Sequence, residues 1–326
     1  MDLLSDVLKV VSLESAVYFN AEFSDPWCVH MPISREVARI LQLDEPAEHV
    51  IIFHLLCDGH AYVYLDDGSH VALRPGDIVS FPHGDGHVLG GGHRIEPIEA
   101  RDAFPTLMAR GLEPARGGGG GTDIARFICG FLVCEPRLSR SYLDGLPPIL
   151  VVNVRDDAAG QWLENSLKFS VGEAIRKRPG AEGMLAKLSE VVFAETLRRY
   201  VHTLPEDVTG WLAGTRDPEV SRALMVLHRR FAEPWTVAAL AHEVGVSRTV
   251  LADRFRHFLN MPPMAYLTRW RLRLGARALL TSSRSVAEIA ADVGYESEGA
   301  FNRAFKREYA LPPARYRKAG RIATDR

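Results

Sequence analysis

The sequence predicts an α+β multidomain chain: a β-barrel N-terminal domain, a helical connector, and an all-α C-terminal domain built on two helix-turn-helix units. Three observations carry this. Short runs rich in β-branched and aromatic residues, cut by turn residues, fill positions 13–152. Helical periodicity replaces them from 157 to 203. Near the C-terminus a segment of about thirty residues occurs twice, too few copies for a solenoid.

In the N-terminal region the runs HVIIFHLL, AYVYL, HVALR, DIVSF and DIARFICGFLV alternate with DGH, DDGS, RPGD and PHGDGH. Many short strands between Gly, Asp and Pro turns indicate a sandwich or barrel. Gly117 to Gly121, five glycines in a row, read as a flexible loop. No strand-to-helix context or GKS follows them, which excludes a phosphate-binding loop.

In the second region Leu185, Leu188 and Val192 share one helical face, with Leu197 and Val201 further along. Pro179-Gly180 separates two helices. Two readings stay open for the apolar stripe: packing on the β domain, or a helix–helix contact with a second copy. Residues 202–220 carry Pro, Gly and Asp at intervals and read as a linker. Asp217-Pro218 then starts the next helix as cap and first-turn proline.

In the repeat, Val237, Leu240, Ala241, Val244 and Gly245 return 49 positions later as Val286, Ile289, Ala290, Val293 and Gly294. After one inserted residue, Leu251, Phe255, Pro262, Pro263 and Tyr266 return at an offset of 50 as Phe301, Phe305, Pro312, Pro313 and Tyr316. A small residue four positions before a glycine lets two helices cross closely, and the glycine takes the positive φ of the turn. Met264 to Leu280 forms a connecting helix spanning roughly 26 Å, suited to helices entering major-groove segments about 34 Å apart. Arg269, Arg271, Arg273 and Arg277 decorate it, with phosphate contact and simple solvation as alternatives.

Charge follows the same division. From Arg216 onward there are 20 Lys+Arg against 11 Asp+Glu, net +9; residues 1–215 carry 19 against 30, net −11. A basic third beside an acidic remainder implies one polyanion-binding domain joined to something else. No apolar run approaches the ~20 residues of a membrane span. The start MDLLSDVLKVV lacks a basic region and cleavage site, so no secretory signal is expected. Four cysteines without a CxxC pair argue against a disulfide scaffold or zinc finger and for a cytoplasmic protein.

From Pro218 to Lys318 the chain resembles the AraC/XylS family of bacterial transcription regulators, most closely in IAADVGYESEGAFNRAFKREYALPPARYR, Ile289 to Arg317. Ala310 departs from the glycine usual after the second recognition helix. The resemblance implies double-stranded promoter DNA as partner. It places the first recognition helix from Ser247 to Leu259, with Ser247, Arg248, Thr249, Ala252, Asp253 and Arg256 toward DNA. The second, from Ser297 to Tyr309, presents Glu298, Gly299, Asn302, Arg303 and Lys306. Arg248, Asp253 and Asn302 suit base edges; Arg303 and Lys306 could equally clamp phosphates.

The run GDIVSFPHGDGH, Gly76 to His87, resembles the second cupin motif, so residues 1–155 are expected to form a cupin-like sensor barrel. His87 stands in that motif and His54 lies near the place of the first, with His60 a weaker candidate there. The first motif's His-x-His pair and glutamate are missing, so neither a metal nor a cofactor is expected; His54 and His87 are read as pocket-lining or core histidines. Cys28, Cys57, Cys129 and Cys134 are candidate redox residues. Cys129 and Cys134 lie five apart on one strand, on opposite faces and too distant for a bond. Residues 156–215 are expected to form the connector and dimerisation segment, 216–320 the DNA-binding domain and 321–326 a tail. The expected function is a non-enzymatic regulator of transcription responding to a small molecule or a redox signal, with a homodimer and RNA polymerase as further partners and no membrane association. The rivals are a metal-dependent cupin enzyme with an appended DNA-binding domain and a ligand-independent architectural protein.

Overall fold

The computed structural model describes residues 13–40, 49–64, 70–92, 95–102, 112–134, 146–204 and 208–324, with backbone only at 13–17, 49, 134 and 319–324. Contacts divide the chain into two compact units. One holds residues 13–136 and 147–202; the other is centred on 203–326.

The first unit has two sheets. The larger is ordered β11 (Leu150–Asn153), β6 (Asp77–Phe81), β3 (His49–Asp58), β10 (Ile124–Cys134), β1 (Leu13–Ser24) and β9 (Ala115–Gly118). The smaller is ordered β5 (His70–Leu73), β4 (Ala61–Tyr64), β7 (His87–Gly90), β2 (Cys28–Met31) and β8 (Ile98–Glu99). Pairing is antiparallel except for β1 with β9 and β2 with β8, which are parallel. A seven-residue helix, α1 (Ser34–Ile40), follows β2. Its first residue, Ser34, accepts a hydrogen bond from the Val50 amide at 2.7 Å and so ties α1 to β3.

Strand alternation explains the core. Phe19 and Ala21 of β1, Ile52 of β3 and Phe127 and Phe131 of β10 face Val29, Met31, Val63 and Leu89 of the other sheet. Each large apolar side chain so buried contributes about 1.5–3 kcal/mol. The opposite face of the larger sheet is buried as well: Ile51, Phe53, Leu55, Ile128 and Leu132 are all sequestered. Its cover includes α2 (Ala158–Ile175) and α3 (Ala181–Thr203). The Tyr18 hydroxyl reaches the Leu185 carbonyl at 3.0 Å and the Ser189 hydroxyl at 2.6 Å. Arg155 bridges the Cys57 carbonyl and the Glu164 carboxylate. Leu185, Val192 and Leu197 are buried, so these stripe residues pack within the sheet-bearing unit. Along the helices' other side Trp162, Phe169, Met184 and Val191 remain 40–60% exposed.

The run of glycines differs from a free loop. Gly117 and Gly118 belong to β9, paired with Phe23 and Ser24. Gly119 and Gly121 donate to backbone carbonyls of the Ser24–Pro26 turn. A Cβ on Gly118, at φ +106°, would lie 1.9 Å from the Ser24 carbonyl oxygen. Close backbone approach is the physical reason for glycine there.

The second unit is helical: α4 (Trp211–Gly214), α5 (Pro218–Arg229), α6 (Val237–Val244), α7 (Arg248–Leu259), α8 (Pro263–Thr281), α9 (Val286–Asp292), α10 (Glu298–Tyr309) and α11 (Pro313–Thr324). Asp217 caps α5 ahead of Pro218, and Ser285 with Glu288 forms a capping box on α9. Such caps contribute about 1 kcal/mol each.

Candidate nucleic-acid interface and barrel cavity

The two helix-turn-helix units are built alike. Gly245 and Gly294 stand at φ +79° and +84°, in the left-handed region. One residue on, Val246 N–H donates to the Ala241 carbonyl at 3.0 Å, and Tyr295 N–H to Ala290 at 2.9 Å. Ser247 and Ser297 cap α7 and α10 by accepting from the Val250 and Ala300 amides. Leu251 and Phe255, like Phe301 and Phe305, are fully buried, and this fixes which face of each helix points outward. Both recognition helices end on a left-handed residue, Asn260 in one and Ala310 in the other.

The outward faces carry the expected residues. On α7, Arg248, Thr249, Asp253 and Arg256 are exposed and Ala252 half-buried; Asp253 and Arg256 form an ion pair at 3.2 Å. On α10, Glu298, Gly299, Arg303 and Lys306 are exposed, and the half-buried Asn302 donates to Glu298 at 3.4 Å. Sequence reasoning passed over Val250. It is 44% exposed beside Arg248 and Thr249, and an apolar side chain there suits a thymine methyl group. Its signal was an apolar residue off the Leu251–Phe255 stripe.

The rod between the units, α8, has 19 residues, roughly 28 Å. Gly275 lets α10 close on it: a Cβ there would meet the Phe301 ring at 2.8 Å. The four arginines of α8 separate into different roles. Arg271 donates to the Phe231 and Glu233 carbonyls, each at 2.6 Å, and burial lowers its pKa. Arg273 is buried, and Arg269 pairs with Glu308 at 3.6 Å. Arg277 is exposed. Beneath α7, the His228 ring stacks on Trp270 at 3.8 Å and bonds the Tyr266 hydroxyl at 2.8 Å. Burial, with Arg273 nearby, pushes His228 down to about 3.

In the sheet-bearing unit a cavity of about 390 Å³ lies against inward residues of both sheets. His54 and Cys129 form part of one wall, and Cys28 part of another. His87 is not among the lining residues; it stacks on Phe81 at 3.5 Å and meets the cavity only through His54. His87 Nδ1 is 3.0 Å from the Asp85 carbonyl, which can only accept. His87 Nδ1 therefore carries a proton and, in the neutral ring, Nε2 accepts. His54 Nε2–H must then donate to it, at 2.8 Å. That leaves His54 Nδ1 to accept from the Cys129 thiol at 2.9 Å. The relay is complete with every member neutral. Burial holds His54 well below its ordinary pKa, with His87 adding to the effect. Burial also lowers His87 to about 3, against the opposing pull of the Asp85 carbonyl. The Cys129 thiol is pushed up by burial.

This relay does not fit a metal centre. All four ring nitrogens of His54 and His87 are engaged with Cys129, each other and Asp85. Among the described residues the group with metal-capable spacing is elsewhere, at Asp25, His60 and Asp123, two of them exposed. Among the described residues three cysteines are free thiols: Cys28 and Cys129 are buried and Cys57, raised to about 11 by burial, is half-buried. The side chain of Cys134 lies outside the described residues.

Residues 2–202 match the family described as Cupin, and residues 240–319 match the one described as Helix-turn-helix domain. The chain is similar to the HTH-type transcriptional regulator AlkR of Acinetobacter baylyi, 28% identical over 98% of this chain and 99% of that protein. It is 32% identical to an AraC-like transcription regulator of Streptomyces lividans over 98% of each chain. The DNA-binding domain of AdpA, solved with a target DNA, aligns with 32% of this chain and 94% of its own at 31% identity, with a TM-score of 0.31. Among the described residues no helix is long and apolar enough to cross a membrane.

Proposed function

The chain belongs to the AraC family of DNA-binding transcription regulators, with a cupin N-terminal domain, and from that premise we propose that it reads promoter DNA with both recognition helices under the control of a small molecule held in the barrel. The observation that carries this reading is the pair of equivalent units on α8, each with its apolar side buried and its polar side exposed. Arg248, Asp253 and Asn302 are assigned to base edges and Val250 to a thymine methyl. Ser247, Thr249, Ala252, Arg256, Glu298, Gly299, Arg303 and Lys306 complete the contact surface. Arg277 is assigned to a phosphate, because its neighbours on α8 are engaged within the protein.

Control would run through an equilibrium between arrangements of domains or protomers that differ in affinity for promoter half-sites. A redox signal has weaker support, because the thiolate is the reactive form and burial raises the pKa of Cys28, Cys57 and Cys129. Catalysis is not part of the reading: the neutral, fully engaged relay offers no free base. The same reading places the protein in the cytoplasm as a homodimer, with the exposed apolar side of α2 and α3 meeting its copy in a second chain and RNA polymerase as partner at the promoter.

Selection of the full chain on a randomised DNA library tests this. One enriched sequence is expected, with affinity falling steeply with salt because the net +9 segment displaces counterions. Arg248→Ala and Asn302→Ala should change the enriched sequence, each lost base contact removing on the order of 1–3 kcal/mol of discrimination, while Arg277→Ala weakens all sequences evenly. A library left without preference by the wild-type chain would remove the central claim.

A further inference from the structure

The cavity's wall has a definite chemistry. Phe19, Phe23, Trp27, Phe127 and Phe131 supply most of its large side chains. They pack in two groups: Phe23 stacks on Trp27 at 4.6 Å and Trp27 meets Phe127 edge-on at 5.8 Å, while Phe19 meets Phe131 at 5.4 Å. Such mutual packing holds the rings in place whether or not a guest is present. Interiors otherwise leave few voids larger than a water molecule, and about 390 Å³ is within the range of small-molecule sites.

The polar atoms on this wall are few and mostly committed. Cys129 donates to His54, and His54 to His87, as derived above. Arg116 is 76% exposed and paired with Glu22 at 3.5 Å, so its charge belongs to the rim. Among the described residues no other charged side chain lines the space. A carboxylate or ammonium group carried inside would lose its water without gaining a counter-ion, at a cost of several kcal/mol. A sugar would leave hydroxyls without partners, each costing about 1–3 kcal/mol. Size gives a second bound. A cavity of about 150 Å³ accepts benzene, so this one scales to a guest of on the order of fifteen carbon atoms.

We propose that the barrel takes a neutral, predominantly apolar molecule of hydrocarbon character, such as an alkane, a long-chain alcohol or a polycyclic aromatic, seated against Trp27. The inference rests on the reading of the barrel as the effector site and names the class of effector. Ala21 and Ala100 line the cavity with small side chains, and enlarging either removes the room.

Pyrene, itself neutral and apolar, is the probe. With the full-length chain, saturable uptake of one pyrene per chain is expected, with energy transfer from tryptophan that weakens in Trp27→Phe. 1-Dodecanol should displace it at least about tenfold more effectively than dodecanoate, and glucose should not displace it. Ala21→Trp and Ala100→Phe should each weaken uptake by about tenfold or more, while wild-type-like deuterium protection of β3 and β10 peptides shows that the sheet-bearing unit still folds. Absence of saturable uptake, equal or better displacement by dodecanoate or glucose, or uptake unaffected by both filling variants would overturn the proposal. The last result would place pyrene on the exposed apolar side of α2 and α3. Uptake that follows the expected pattern while 1-dodecanol leaves DNA occupancy unchanged would sustain the apolar site and remove the effector reading instead.

Discussion

Lowering the pH from 7 to 5 should destabilise the sheet-bearing unit by about 4 kcal/mol through two side chains alone. His54 and His87 are almost fully buried, and burial holds both in the neutral form. In the unfolded chain each imidazole titrates near 6.5. Below that value the unfolded state gains protons that the folded state refuses, so stability is complete above about 6.5 and falls as the pH drops toward about 3. Each histidine then costs RT ln(1 + 10^(6.5−pH)), about 2 kcal/mol at pH 5 and about 0.2 at pH 7. The sum of about 4 requires only that both rings stay neutral in the folded unit at pH 5, and it is comparable with the 5–15 kcal/mol that holds a typical domain together. The perturbation that isolates it is the double variant His54→Gln/His87→Gln, whose amides do not titrate. Urea unfolding of wild type and variant at pH 7, 6 and 5, pulse-labelled with deuterium at a common pH and read on peptides of β3 and β10, gives the difference. All other titrating groups cancel in the comparison. If the two stabilities fall in parallel, within about 1 kcal/mol over this range, the neutral relay is wrong.

Two further outcomes follow from other parts of the molecule. Phe169 is 60% exposed beside Trp162 and Met184, so Phe169→Glu should shift the sedimentation of the full chain from dimer toward monomer; an unchanged mass at micromolar concentration would move the interface elsewhere. Ala310 sits at φ +57°, where a Cβ costs roughly 1–2 kcal/mol, so Ala310→Gly should stabilise the helical unit by up to about 1 kcal/mol after the flexibility of glycine is counted, and a lowered midpoint in thermal unfolding would contradict that account.

The features legible in the amino-acid order are those whose causes are local. A helix-turn-helix is set by a small residue, a glycine and two apolar side chains within about fifteen positions, and the duplication displays that pattern twice. β3 announced itself as HVIIFHLL because both faces of the larger sheet are covered, which turns alternation into a continuous apolar run. β1 was less visible. Its sequence LESAVYFNAEFS mixes Glu22 and Asn20 with the inward Phe19, Ala21 and Phe23, and its register is set by β10, where Phe19 pairs with Cys129. A partner more than a hundred positions away leaves no periodic trace. α1, with seven residues, is too short to show a period at all.

The same distinction separates the site residues that sequence could rank from those it could not. Arg271, Arg273 and Arg277 occupy one helix with nearly identical local surroundings in sequence, yet Arg271 braces the Phe231–Glu233 turn, Arg273 is buried and Arg277 faces outward. Tertiary packing alone decides among them. His54 and His87 could be named singly, from a motif and a strand, but their hydrogen bond spans 33 positions, and Cys129 joins from 75 positions away. The consequence reaches function. A histidine read alone on a barrel strand suggests a metal ligand or a base; the same histidine, donating to one neighbour and accepting from another, has no lone pair to give. On the proposed reading, the face that the buried His54 turns to the cavity is one more uncharged patch on an aromatic wall, which suits apolar recognition.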